Sequence, residues 1–181
     1  DGSIKALYLL GADEFDAYGE VGWKCFTIYQ GHHGDKGASR ADVVLPGAAY
    51  TEKDGLYVNT EGRPQLGKRA VFPPGEGRED WAILRALSER MGQTLPFNNL
   101  QELRARMYAV APHLAAMGSI EPADMGAVTR VAQSSGATLS ADPFTPAFPD
   151  FYFTNPIARA SAVMAELSAL RRTGVARAAA E

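Results

Sequence analysis

His32, His33 and Asp35 stand close together in the loop Gly31-His-His-Gly34-Asp-Lys-Gly37. Imidazole beside carboxylate is a combination that binds zinc or shares a proton as a general base. Adjacent histidines in an extended segment point to opposite sides, however, and the third histidine, His113, is far along the chain. The favoured reading is a glycine-rich loop whose polar side chains cap a neighbouring element or touch a partner, with His32, His33 and Asp35 as the alternative metal ligands. Glycine at every third position also invites a phosphate-cradle reading, but the loop lacks both the G-x-G-x-x-G order and a Gly-Lys-Ser/Thr ending. Asp13 and Glu14, after the first strand, lie where a cofactor-binding sheet receives a pyrophosphate, and two carboxylates there oppose phosphate unless neutralised. That favours a relic crevice, and no catalytic or cofactor-binding residue is assigned.

A second charged group, Glu52, Lys53, Asp54, Glu61 and Arg63, surrounds a turn-rich stretch. Paired carboxylates perform acid–base chemistry in some sites. Turn composition instead favours a salt-bridge and turn network that fixes two strands, with Asn59 and Arg63 as its hydrogen-bonding members.

The elements that must position these groups follow from periodicity. Strands are expected at residues 4–10 (IKALYLL), 24–30 (KCFTIYQ), 43–45 and 56–59. The unbroken run Val43-Val44-Leu45 reads as a strand covered on both faces. A short helix over 15–23 is weakened by Gly19 and Gly22. Trp81, Leu84, Leu87 and Met91 line one face of a helix over 78–91 that Gly92 ends. Asn99 with Glu102 makes a capping-box-like start to a helix over 99–110, and a further helix is expected over 124–133. Residues 142–150 hold three prolines and read as an extended connector. The aromatic run Phe151-Tyr152-Phe153 precedes Asn155-Pro156, which starts a helix lined by Ile157, Ala160, Met164 and Leu167.

The 181 residues are 46% hydrophobic, enough for one ordinary core without disulfide or metal, and one domain is the default. Eighteen basic and 21 acidic residues are intermixed for a net charge of −3, so neither a nucleic-acid stripe nor a polybasic membrane patch is present. Cys25 is the single cysteine, which excludes an intrachain disulfide and any cluster or zinc site held by several thiolates of this chain. No apolar run of about 18 residues and no charged-then-apolar leader occurs, so membrane association is expected only through partners. The chain opens at Asp1 with a core strand that has no earlier element to pair with, and is expected to be a piece of a longer polypeptide.

Residues 41–65, ADVVLPGAAYTEKDGLYVNTEGRPQ, resemble the closing signature of the molybdopterin oxidoreductase family. Its structural residues are Asp42, Pro46, Gly47, Glu52, Asn59, Glu61, Gly62 and Arg63. Within that family, residues 29–63, PPGEGREDWAILRALSE and DFYFTNPIARAS resemble the C-terminal part of the large peripheral-arm subunits of NADH-quinone oxidoreductases, respiratory complex I.

The resemblance implies an α/β fold: the last part of a molybdopterin-oxidoreductase-like domain, with a short, mostly parallel sheet flanked by helices and a helical C-terminal segment. The organisation expected is an α/β part over 1–110, an irregular connector over 111–149, a helical segment over 150–174 and a frayed tail over 175–181.

It further implies a scaffold and interface role in a complex that moves electrons from NADH through FMN and iron–sulfur clusters to quinone, coupled to proton translocation. No cofactor is expected in this piece. Iron–sulfur clusters belong to the upstream part of the parent subunit and FMN to a partner. Partners would be the flavin and iron–sulfur subunits of the hydrophilic arm, with Trp81, Phe151, Tyr152 and Phe153 as contacts. The location implied is the cytoplasmic side of a bacterial inner membrane or the matrix side of the mitochondrial one.

Cys25 as a molybdenum ligand is set aside for a buried inert thiol. The rival readings are a C-terminal piece of a formate dehydrogenase-like molybdopterin enzyme and an independent histidine-dependent metal hydrolase.

Overall fold

The computed structural model describes residues 3–13, 25–120, 122–136, 140–145, 148 and 150–178. Glu14 and the expected helix over 15–23 lie outside the described residues. The chain divides into two compact units. One comprises Asp1–Ala49, Pro74–Asp80 and Pro146–Glu181, and the other Tyr50–Pro73 and Trp81–Thr145.

In the first unit, β1 (Ala6–Leu10), β2 (Phe26–Gly31) and β3 (Val43–Pro46) form a parallel sheet in the order β1-β2-β3. Leu9, Tyr29 and Val44 stand in register across it. Asp42 fixes that register from just before β3: its Oδ2 accepts from the Thr27 amide at 2.7 Å, and its own amide donates to the Thr27 carbonyl at 2.9 Å. The short helix α1 (Lys36–Arg40) crosses from β2 to β3 and begins where Asp35 Oδ1 accepts from the Lys36 amide at 2.8 Å.

Leu9 and Tyr29 form the buried centre, with Leu7, Ala38 and Ala41 packed against them. The Tyr29 ring explains two glycines of the loop. A Cβ at Gly31 would lie 2.5 Å from its hydroxyl, and one at Gly37 the same distance from its ring edge. Gly34, by contrast, has nothing within 4 Å of its Cβ position.

The opposite face of the sheet is less covered. Leu10, Phe26 and Val43 lie on it at 50%, 49% and 38% exposure, and Val44 on the other face is 49% exposed. The expectation that residues 43–45 are covered on both faces is therefore corrected. β3 is an edge strand, and an apolar run alone does not tell an edge from a centre.

The remainder of this unit holds a 3-10 turn (Phe151–Phe153) and two helices, α5 (Pro156–Arg159) and α6 (Ala162–Ala178). The single helix expected from residue 156 onward is broken, because Ser161 restarts the helix: its carbonyl accepts from Ala165 N and its Oγ from Met164 N. α6 then runs through Gly174 to Ala178, into the stretch read as a tail. A helical glycine costs about 1 kcal/mol against alanine without ending the helix.

In the second unit, β4 (Gly55–Val58) and β5 (Pro64–Gly67) form an antiparallel hairpin. β5 is unanticipated from sequence, being four residues long and opened by a proline. The Tyr57 ring lies over the facing pair Gly55 and Gly67, where added Cβ atoms would stand 2.7 and 2.9 Å from it.

The helices are α2 (Asp80–Arg90), α3 (Leu100–Val110) and α4 (Met125–Ser134), with a 3-10 turn at Pro112–Ala115. Gly92, at φ +73°, turns the chain after α2. Arg85 donates to the Phe97 carbonyl and to Asn98 Oδ1, both at 3.0 Å, which secures the connection to α3. Asn99 caps α3 by accepting from Glu102 N, and the Glu102 carboxylate reaches back to Asn98 N, one residue before the usual capping-box partner.

The two loop glycines give a stability contrast. Gly37→Ala forces the Tyr29 ring to shift and is expected to lower unfolding free energy by about 1–3 kcal/mol. Gly34→Ala is expected to be near neutral, and urea unfolding of the two variants checks the difference.

Candidate functional site

The polar groups of the first unit converge at the carboxyl ends of β1 and β2, where open α/β sheets receive ligands. Asp13 follows β1 by three residues and Asp35 follows β2 by four. Both carboxylates face Arg159, the last residue of α5: Arg159 Nη2 donates to Asp13 Oδ1 at 2.5 Å and Nε to Asp35 Oδ2. The Asp13 side chain is 1% exposed, Arg159 14% and Asp35 24%. Burial of this kind is tolerable for charges only when they are paired and hydrogen-bonded.

Burial alone would push the Asp35 carboxyl up. The hydrogen bonds from Arg159 and the Lys36 amide, with the charges of both residues, outweigh it and hold the carboxyl below its ordinary value. Arg159 is affected in the complementary sense: burial disfavours its charge, but Asp35 and Asp13 together raise its pKa.

Asp35 is thus committed on both oxygens, one to the Lys36 amide and one to Arg159. His32 and His33 meet edge to edge, with Nδ1 atoms 2.7 Å apart and rings at 90°. The expectation that adjacent histidines point apart is corrected. The loop bends at this point, and one ring donates to the other. Among the described residues no group of three His, Cys, Asp or Glu side chains is arranged to hold a metal ion.

A second polar set joins the sheet to Asp80. The Tyr8 hydroxyl donates to Gln30 Oε1, and Gln30 Nε2 donates to Asp80 Oδ1 at 2.8 Å. Burial and the nearby Asp80 charge raise the Tyr8 pKa, so its phenol keeps its proton. Gly47 has room for this arrangement, since a Cβ there would sit 3.0 Å from Asp80 Oδ1.

The signature residues divide between the two units. In the first, Pro46 accepts from Arg78 N at 3.0 Å, Gly47 donates to the Gly31 carbonyl at 2.8 Å, and Asp42 makes the clamp on Thr27. In the second, Asn59 Oδ1 accepts from the amides of Glu61 and Arg63 at 3.1 and 3.0 Å, closing the hairpin turn in which Gly62 takes φ +88°. Arg63 Nη1 donates to the Gly118 carbonyl at 2.5 Å, while Gly118 N donates to the Pro64 carbonyl.

The exposed Glu61–Arg63 pair at 3.5 Å adds little. Glu52 is half-buried in the connection before β4. Asp54 accepts from Arg69 N at 2.8 Å. That bond, opposed by burial and aided by the charges of Lys68, Arg104 and Arg69, lowers its pKa. Cys25 is buried, with its thiol directed to the Phe26 carbonyl.

Trp81 is half-buried at the start of α2. Phe151 is 68% exposed, with its ring edge-on to Tyr152, and Tyr152 and Phe153 are half-buried.

Sequence reasoning missed Arg159. The only local signal is Asn155-Pro156, a cap and first-turn proline that fix the helix delivering it: Asn155 Oδ1 accepts from Ala158 N at 2.9 Å. Arg159 also decides the fit of a pterin cofactor, which the resemblance brings to mind. Arg159 is already engaged by Asp13 and Asp35, and the Tyr29 ring fills the space at Gly31 and Gly37. These residues do not fit a phosphate-bearing pterin at this end of the sheet.

Comparison with known proteins adds two family matches and several relatives. Residues 1–90 match the molybdopterin oxidoreductase family. Residues 119–167 match the family described as the C-terminal region of the G-type subunit of NADH-ubiquinone oxidoreductase. The mitochondrial NADH-ubiquinone oxidoreductase 78 kDa subunit of Neurospora crassa is 47% identical over 173 residues, which is 94% of this chain and 23% of the relative. The Candida albicans protein of the same description is 47% identical over 167 residues, 90% of this chain and 23% of the relative. The mitochondrial NADH dehydrogenase [ubiquinone] iron-sulfur protein 1 of Solanum tuberosum is 46% identical over 168 residues, 93% of this chain and 22% of the relative. The chain thus spans less than a quarter of the length of these relatives.

Asp42→Ala leaves the buried Thr27 amide without its acceptor and is expected to cost about 1–3 kcal/mol in urea unfolding. Asp42→Asn, which keeps an oxygen there, should recover part of that loss.

The lowered Asp35 pKa contributes stability that is fully present above the ordinary carboxylate value of about 3.9 and is lost as pH falls through the lower folded value. The urea midpoint of the Asp35→Asn variant should therefore fall less than the wild-type midpoint between about pH 5 and pH 2.5, a span that starts above that ordinary value and runs below it.

Proposed function

Because the chain belongs to the large-subunit family of NADH-ubiquinone oxidoreductase, in whose C-terminal region it falls, we propose that it is a scaffold and interface portion of the large peripheral-arm subunit of complex I. The parent complex oxidises NADH and delivers electrons through FMN and iron–sulfur clusters to quinone, coupled to proton translocation. In this reading the clusters belong to the part of the subunit upstream of this chain and the flavin to a partner subunit. With a single cysteine, this chain cannot hold a thiolate-ligated cluster by itself.

The observation that carries the reading is the 47% identity to a 78 kDa complex I subunit over 94% of this chain. The chemistry at the strand ends agrees with it, since carboxylates and an internal arginine stand where a pterin enzyme of this fold would need room for phosphate. We assign Trp81 and the Phe151–Phe153 turn as contacts to neighbouring subunits. The exposed Phe151 ring, on a backbone fixed by the Asp150 cap, is suited to such an anchor.

No helix among the described residues is long and apolar enough to cross a membrane. We propose peripheral attachment through partner subunits, on the matrix side of the inner membrane as the mitochondrial naming of the relatives suggests.

The test is affinity purification of the tagged parent polypeptide from detergent-solubilised membranes, followed by mass spectrometry and metal analysis. Recovery of flavin, iron–sulfur and proton-channel subunits is expected. A soluble protein carrying stoichiometric molybdenum and no such subunits would overturn the proposal in favour of a molybdopterin-dependent oxidoreductase.

A further inference from the structure

We propose that Arg159 is a latch that fastens the C-terminal segment, residues 150–178, onto the carboxyl ends of β1 and β2, in the place where a sheet of this topology receives an anionic ligand. The guanidinium spans two loops that follow neighbouring parallel strands, using Nη2 on Asp13 and Nε on Asp35. Arginine suits this task because its planar fork presents donors in two fixed directions, whereas a lysine ammonium is a single point charge on a flexible stem.

The segment is built to deliver that fork. Asp150 caps the 3-10 turn through Tyr152 N at 2.9 Å, and its other oxygen accepts from the Ser168 hydroxyl at 2.5 Å. Ser168 lies on α6 and is fully buried, so its bond to Asp150 holds the turn before α5 to the helix after it. Asn155 caps α5, and Ser161 restarts the helix after it. Arg159 therefore projects from a short helix pinned at both ends.

On the receiving side, Asp35 also caps α1. One carboxylate thus joins the β2–β3 crossover to the C-terminal segment. Removing Arg159 would leave Asp13, almost wholly buried, without this counter-charge, and would open a pocket shaped for a guanidinium group.

The latch is tested by hydrogen exchange with mass spectrometry on the full-length protein, purified with whatever partners it carries. Wild type, Arg159→Ala and Arg159→Lys are compared. In Arg159→Ala, amides of residues 150–160 and of the loops at 11–13 and 31–35 are expected to lose protection while the β4–β5 hairpin keeps its own. Arg159→Lys should fall between the two. Added ethylguanidinium should restore protection to Arg159→Ala and leave wild type unchanged.

Unchanged protection of residues 150–160 in Arg159→Ala would overturn the proposal. So would loss of protection spread evenly through both units without rescue by ethylguanidinium. Should Arg159→Ala fail to accumulate, Asp35→Asn keeps an oxygen for the α1 cap while removing the charge. Weakened protection confined to the same segment supports the latch, and full wild-type protection there overturns it.

Discussion

A carboxylate taken out of water must be answered by a positive charge, and Asp13 places that demand on the first unit. Its side chain is almost fully enclosed after β1, so a cation has to arrive at that spot for the sheet ends to close. Arg159 meets the demand and at the same time engages Asp35, whose other oxygen starts α1. The crossover to β3, and with it the position of Asp42 against Thr27, is tied to the same charge balance. One guanidinium thereby links the loops after β1 and β2, the cap of the crossover helix and the C-terminal segment.

Asp42, Gly47 and Asn59 act as backbone fastenings, the first two in one unit and the third in the other. Asp42 and Gly47 bond to the main chain of β2, while Asn59 bonds to the main chain of its own turn. An aromatic ring laid over glycines recurs beside each: Tyr29 over Gly31 and Gly37, Tyr57 over Gly55 and Gly67. Where the ring occupies the space of a side chain, glycine is required for volume, and two of the three loop glycines that resemble a phosphate cradle, Gly31 and Gly37, are explained by Tyr29.

Most elements were legible because their signals are local. Apolar runs gave β1 to β3, the 3.6-residue stripe gave α2, and Asn99 marked the start of α3 through the cap it makes. The strand β5 was hidden because Pro64 and four residues carry no alternation, and the break at Ala160 was hidden because Ser161 reads equally well inside a helix. Exposure of Val43 and Val44 was unreadable for a different reason: the sequence states that a strand is apolar but not what covers it. Arg159 was out of reach since its partners lie 146 and 124 residues away, and neither loop announces a missing cation.

Those separations set an order of events during synthesis. A ribosome delivers Asp13 and Asp35 well before it delivers Arg159, so the strand ends are made before the guanidinium that joins them. Closing a loop that long costs only slowly rising entropy, about 0.6 kcal/mol for each doubling of length. The joint is therefore thermodynamically accessible yet late. A nascent chain halted before residue 159 would lack the guanidinium that joins the loops after β1 and β2.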